Sequence, residues 1–259
     1  VKKIQLKYEN NDRLYCHQYK VNNGASSRMN TGNFPFYKNL GVKILKEMAG
    51  RVGIDQYVDV KQAYQHIKGA KSILELGAGY GRCLDYLLLE GYTGELIAVE
   101  YVPEYVSYLK NKFGNRVNVI DGDIQTDAFS LDHKVDAAIW LWSGFSDFSK
   151  EEQDFCLQKI YHFLNDHGKL IIDIPKIENN LSVVKMMQNT SASELLEKNQ
   201  NFVEGKDVVW ETPYGIFRGY IQSKESMRQI ATMIGFKKVT YIEHKTETNI
   251  ERLMCILEK

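Results

Sequence analysis

The chain has 259 residues, 44% hydrophobic and 25% charged, with only 4 prolines, which suits one large mixed α/β domain or one domain with an insertion. Lysine plus arginine and aspartate plus glutamate both number 33, so the net charge is zero and the basic excess of a nucleic-acid binder is missing. The 4 cysteines (Cys16, Cys83, Cys156 and Cys255) are scattered with no CxxC pair, which argues against a disulfide framework, and no apolar run approaches the ~20 residues of a membrane span.

Residues 1–33 are polar. The opening stretch VKKIQLKYENNDR lacks the apolar centre of a signal peptide, which makes the cytosol the expected compartment, and NNGASS (22–27) reads as a loop. Residues 35–66 read as helical, with Leu40, Ile44 and Met48 on one face. A strand is expected at 72–76, then a helix over 82–90 that turns Leu84, Leu87 and Leu88 inward and ends at Gly91. ELIAVE (95–100) is the second strand. Pro103 opens the next helix, carrying Val106, Leu109 and Phe113, and Gly114 ends it. VNVI (117–120) and VDAAIWLW (135–142) are strands three and four.

Ser149 with Glu152 has the form of a capping box, opening a helix that buries Phe155, Ile160 and Phe163. NDHG (165–168) is a turn into the fifth strand, KLIIDI (169–174). Five apolar runs separated by helices predict a parallel sheet with crossover helices. The pattern breaks after Pro175. Residues 176–206 are mostly polar, 208–221 read as a hairpin turning over 213–215, and a helix follows from 223 to 234, closed by Gly235. KVTYIEH (238–244) and ERLMCILEK (251–259) are the last two strands.

The chemistry concentrates in ILELGAGYGR (73–82). Gly77 and Gly79 allow a tight turn out of the strand and a close approach of ligand to backbone. A dinucleotide fold wants its third glycine at GxGxxG, where this chain has Arg82. Glu75 points the same way: a carboxylate about 4 Å from a pyrophosphate costs roughly 4 kcal/mol at an effective dielectric near 20. A ligand carrying an ammonium group gains from it instead. S-adenosylmethionine has that ammonium, a sulfonium and no phosphate. Glu100 closes the second strand, where a carboxylate can accept from both ribose hydroxyls. Asp123 and Ile124, in GDI after the third strand, suit the adenine edge, and Trp140 stands at the mouth of the expected crevice.

ELGAGYG, an acid closing strand two and GDI after strand three together resemble the class I S-adenosylmethionine-dependent methyltransferases, over roughly 72–259. The resemblance implies a Rossmann-like seven-stranded mixed sheet of order 3-2-1-4-5-7-6, strand seven antiparallel, flanked by helices. It implies a core at 70–259, an N-terminal extension and helical lid at 1–69, and a hairpin cap at 176–222 inserted after strand five. Carried over by motif, Glu75, Gly77, Ala78, Gly79 and Gly81 face the methionine part, Glu100 the ribose, Asp123 and Ile124 the adenine, and Tyr101 packs on the adenine. The product would be S-adenosylhomocysteine.

WLWSGF (140–145) lacks the [DN]PP[YF] motif of enzymes that methylate exocyclic amines of bases or glutamine, and the segment SGF…DF…EEQ resembles the small-molecule branch, loosely its glycine N-methyltransferase-like members. A small-molecule acceptor (amine, carboxylate or hydroxyl) is the expected partner, with no nucleic acid or membrane, in a monomer or homodimer. A protein side chain, or a non-catalytic regulatory role in binding S-adenosylmethionine, is the alternative. An NAD-dependent oxidoreductase and an aminopropyl transferase on the same fold are the rivals, the first disfavoured by Glu75, the second by the lack of paired aspartates. NFPFY (33–37), with Tyr37, reads either as a lid over the cofactor or as a packing anchor. Strand alternation sends Trp140 and Trp142 to opposite faces. Trp142, Phe145, Trp210, Arg218 and Tyr220 are the substrate-side candidates, Arg218 for a carboxylate or phosphate or else as a surface residue. His162 and His167 lack metal-ligand spacing, no HExxH occurs, and the histidines read as surface residues, so no metal and no catalytic base is expected from them.

Overall fold

A computed structural model describes residues 32–126, 129–176, 205 and 207–259. NNGASS and nearly all of 176–206 lie outside the described residues.

Seven strands form one sheet: β1 (Ser72–Leu76), β2 (Glu95–Glu100), β3 (Asn118–Asp121), β4 (Val135–Trp140), β5 (Leu164–Pro175), β8 (Lys238–Lys245) and β9 (Glu251–Glu258). Their order is β3-β2-β1-β4-β5-β9-β8, the order expected from the resemblance, with the first five parallel and β9 antiparallel to both neighbours. A separate hairpin, β6 (Asp207–Thr212) and β7 (Gly215–Tyr220), accounts for the gap in numbering.

The central strands are apolar on both faces because helices cover both. Leu74 and Leu76 of β1 join Cys156, Leu157 and Ile160 of α5 (Lys150–Phe163) and Met227 and Ala231 of α6 (Lys224–Ile234). Ile73 turns the other way, to α2 (Val58–Tyr64), α3 (Arg82–Leu89) and α4 (Pro103–Phe113). The capping box is formed: the Ser149 hydroxyl accepts the Glu152 N–H and the Glu152 carboxylate accepts the Ser149 N–H. Among the described residues no helix is long and apolar enough to cross a membrane.

Three expectations are corrected. The helix over 35–66 is two helices, α1 (Phe34–Val52) and α2, because Gly53 caps α1 in the left-handed region at φ 76°. Gly41, at φ 68° and ψ 167°, kinks α1; beyond it Leu45 and Ala49 are buried and Ile44 and Met48 are half-buried against the same cluster. NDHG does not separate helix from strand: Leu164 already pairs with Val135, and residues 165–168 form an irregularity before Lys169 pairs with Ala137, with His167 at φ 65°. The fourth strand stops at Trp140, and Trp142 and Ser143 take positive φ (54° and 65°). The alternation argument for the two tryptophans therefore fails at Trp142.

Candidate active site

A cavity opens at the carboxyl ends of β1, β2, β4 and β5, roofed by α1 and the β6–β7 hairpin. Such a crevice is where an open α/β sheet binds ligand.

The glycine turn forms its floor. Gly77 and Gly79 adopt φ 62° and 55°, and a Cβ on Gly79 would stand 3.2 Å from Leu45 of α1. Both line the cavity with Ala78. Gly81 does not, which corrects its assignment: a Cβ there would meet Phe113 at 2.4 Å and Leu109 at 2.8 Å. Its bareness serves the packing of α3 against α4. Arg82, which breaks the dinucleotide spacing, makes a two-pronged pair with Asp59 at 2.6 Å and also donates to the Ile54 carbonyl. The guanidinium thus ties the segment before α2 to the turn.

Glu75 is buried at the end of β1, lines the cavity, and its Oε2 has no hydrogen-bond partner. Burial pushes its carboxyl up to about 7, against the lowering effect of Cys83 and Arg82. An orphaned carboxylate oxygen facing a cavity is a position for a cationic group. Glu100 is positioned by three backbone donors: Gly79 N–H to Oε2 at 2.8 Å, and Tyr101 and Val102 N–H to Oε1 at 2.8 and 2.9 Å. Burial raises its pKa and those bonds oppose the rise. A carboxylate oriented this way presents its remaining lone pairs to hydroxyls. Asp123 lines the cavity but turns Oδ1 to the Gln125 N–H at 2.9 Å, forming the turn that carries buried Ile124, also lining. Tyr101 lines the wall and meets Phe34 edge-on at 5.6 Å.

Trp140 and Trp142 both line the cavity. Phe145 does not, which corrects its substrate role: it is fully buried and packs edge-on against Trp140 at 5.4 Å. On β7, Phe217, Gly219 and Tyr220 face the cavity. Arg218 is exposed and does not line it, which corrects its candidacy; its backbone N–H and carbonyl are both clamped by Asn33. The side chain of Trp210 lies outside the described residues.

Sequence reasoning missed Asp147, although it stands in the DF of the quoted segment. It lies in the short 3-10 turn Gly144–Asp147, lines the cavity and accepts a hydrogen bond from the Tyr37 hydroxyl. Burial pushes its carboxyl up to about 8, only partly opposed by Tyr37, whose own pKa rises through burial and the neighbouring Asp147. Only the aspartate's position across the chain from Tyr37 marks it, and that is a tertiary fact. Asn33, buried, was missed likewise: its amide donates to the carbonyls of Asp147 at 2.9 Å and Arg218 at 2.7 Å and accepts the Arg218 N–H at 2.8 Å, joining α1, the turn and the hairpin. Gln153 donates to the Phe148 and Tyr220 carbonyls at 3.0 and 2.6 Å and, with Asn33, fixes the C-terminal end of β7.

Behind Ser143, Asp173 is fully buried and takes Arg252 at 2.6 and 2.9 Å and His244 at 2.8 Å. Arg252 also donates to the Ser143 hydroxyl at 2.7 Å. This network holds the positive-φ turn after β4 against β5 and β9. His244 is therefore no surface histidine; its ring is enclosed by its partners.

The family described as "Methyltransferase domain" matches residues 73–168, the stretch from β1 to the irregularity in β5. No curated protein matches the chain by sequence. Among solved structures, the chain is similar to 1,6-didemethyltoxoflavin-N1-methyltransferase of Burkholderia thailandensis, bound to 1,6-didemethyltoxoflavin and S-adenosylhomocysteine, at 16% identity and TM-score 0.54 over 80% of this chain and 79% of that one. It is also similar to CalS10, an amino pentose methyltransferase from Micromonospora echinaspora bound to S-adenosylmethionine, at 13% identity and TM-score 0.55 over 83% and 95%. The PH0226 protein from Pyrococcus horikoshii OT3 matches at 17% identity and TM-score 0.55 over 91% and 99%. Residues 73–168 thus match a methyltransferase domain, and the strand order and the structural likeness give the chain the Rossmann-like fold of these methyltransferase structures.

Proposed function

We propose that the protein transfers the methyl group of S-adenosylmethionine to a small-molecule acceptor. The observation that carries this reading is the pairing, in one cavity, of the unpartnered Glu75 carboxylate oxygen with the backbone-oriented Glu100 carboxylate. Glu75 would hold the ammonium of the amino acid part and Glu100 the ribose hydroxyls. Asp123, Ile124 and Tyr101 would flank the adenine, with Gly77–Gly79 giving close backbone contact. The donor set is wrong for a pyrophosphate, because Glu75 would repel it.

When bound, the cofactor supplies a methyl group already activated on a sulfonium. The chain's own residues must then align an acceptor and keep water out. Phe36, Tyr37, Trp142 and Phe217 wall the part of the cavity under α1 and the hairpin. Asn33 and Gln153 hold that roof to the turn after β4. The aromatic-walled cavity under α1 and the hairpin supports a small acceptor in preference to a protein segment. Titration calorimetry with S-adenosylmethionine, S-adenosylhomocysteine and NAD tests the reading. Binding of the first two without NAD is expected; NAD binding alone would overturn it.

A further inference from the structure

The charged side chains lining the cavity are acidic with one exception. Among the described lining residues the acids are Glu75, Glu100, Asp123, Asp147 and Glu152, and the single cation is Arg82, whose guanidinium is taken by Asp59 and the Ile54 carbonyl. In the proposed function Glu75, Glu100 and Asp123 face the cofactor. Glu152 sits at the rim, engaged by the Ser149 N–H. Asp147 is left; its partner Tyr37 meets Phe36 edge-on at 5.1 Å, and Phe36, Tyr37, Trp142 and Phe217 line the same cavity.

Nothing in the fold calls for a carboxyl at that point. Among the described residues no cation pairs with Asp147, and its side chain is bonded only by the Tyr37 hydroxyl. The turn around it is built by backbone groups: Ser146 N–H to the Ser143 carbonyl, and the Asn33 amide to the Asp147 carbonyl. A hydrophobic side chain would fill the space without the cost of desolvating a carboxylate. A group kept at such a cost, in a cleft, against aromatic faces, is suited to a ligand that carries positive charge.

We propose that the acceptor is a small apolar or aromatic amine that enters as its ammonium ion, and that Asp147, hydrogen-bonded by Tyr37, binds this ion and takes its proton. The inference rests on the methyl-transfer reading above and narrows its acceptor class. One N–H bond breaks and one carboxyl O–H bond forms on Asp147, which frees the nitrogen lone pair. That pair forms the new N–C bond as the S–C bond breaks, the sulfonium becomes a neutral thioether, and the nitrogen regains a positive charge as the methylated ammonium. No oxidant or further reactant is needed. Desolvation favours the proton transfer, because a neutral amine beside a neutral acid is easier to bury than an ion pair. Tyr37 is a positioning residue that fixes the carboxyl's orientation.

The test uses the full chain at pH 8.5, where the Asp147 carboxyl is mostly ionised and a benzylic amine is still mostly protonated, saturated with S-adenosylhomocysteine, and three probes sharing one ring: benzylamine, benzyl alcohol and phenylacetate. Calorimetry is expected to show benzylamine binding at least about tenfold more tightly than the other two. Asp147→Asn is expected to erase that preference while keeping S-adenosylhomocysteine affinity, which also shows that the variant is folded. Tyr37→Phe is expected to keep the preference and weaken it severalfold. With labelled S-adenosylmethionine, methyl transfer is expected in the benzylamine arm, and Asp147→Asn is expected to lower kcat by about a hundredfold or more. Preference for phenylacetate or the alcohol, retention of the amine preference in Asp147→Asn, or binding of none of the three would overturn the proposal. Failure of the wild type to bind S-adenosylhomocysteine would instead overturn the methyl-transfer reading.

Discussion

Arg82 grips Asp59 with both prongs of its guanidinium at 2.6 Å, and both side chains are buried. The residue that spoils the dinucleotide spacing is thus the one that fastens α2 to the glycine turn. Removing one member of a buried ion pair strands the other, at about 3–5 kcal/mol. Arg82→Met and Asp59→Asn are each expected to lower unfolding free energy by that order in urea titrations. The double variant is expected to lose less than the sum. Additive losses would show that the pair is not coupled.

Glu75 gives the proposed cofactor site a pH signature. With its carboxyl pushed up to about 7, it is mostly protonated at pH 6 and mostly ionised at pH 8. An ammonium prefers the ionised form, so S-adenosylmethionine affinity is expected to rise about tenfold across that interval. Glu75→Gln is expected to bind more weakly and to flatten the profile. A wild-type profile already flat over this range would count against the contact.

Gly79 and Gly81 are expected to fail in different ways. Gly79 lines the cavity at φ 55°, and aspartate there adds bulk and charge beside Glu100, so Gly79→Asp is expected to lose S-adenosylmethionine binding with modest destabilisation. Gly81→Ala drives a methyl to 2.4 Å from Phe113, so it is expected to cost about 2–4 kcal/mol of stability. Thermal melting and calorimetry on both variants separate the two roles; unchanged affinity in Gly79→Asp would remove the turn from the site.

Asp147 should register in stability as well as in binding. Its folded carboxyl titrates at about 8, above the ordinary value near 4, so its contribution is fully present below pH 4 and is lost as pH rises toward 8. Asp147→Asn removes that loss. Relative to wild type, the variant is expected to gain about 1–3 kcal/mol between pH 5 and pH 8.5, the figure discounted because the cavity opens to water. Denaturant titrations at the two pH values check the sign.

Asn33 joins three elements through one amide. Asn33→Ala leaves the Arg218 backbone and the Asp147 carbonyl without their partner, at about 1–3 kcal/mol. Amide exchange in β7 is expected to speed up while that of β1 and β4 is unchanged. Uniform acceleration would mean a global loss rather than an unlatched roof.

Most of the fold was legible because its signals are local. ELIAVE bounded β2 at both ends, the Ser149–Glu152 box opened α5, and Gly235 closed α6, each through chemistry confined to a few residues. Glu75, Glu100 and the glycine turn were legible for the same reason: a strand end, its turn and the next helix form one short stretch. Errors came where a distant partner decides. Gly81 reads as a ligand glycine until α4 is placed against it, and Arg218 reads as an anion binder until Asn33 fixes which way β7 faces.

The sequence by itself determined the sheet, its order through the resemblance, and the carboxylates that suit an ammonium and a ribose, because strand periodicity and turn chemistry are written in adjacent residues. Only the tertiary structure decided that Tyr37 and Asp147, 110 positions apart, share one hydrogen bond inside an acidic, aromatic-walled cavity. That pairing depends on how α1 folds back over the carboxyl ends of the strands. It is a matter of long-range packing, which local propensity does not encode.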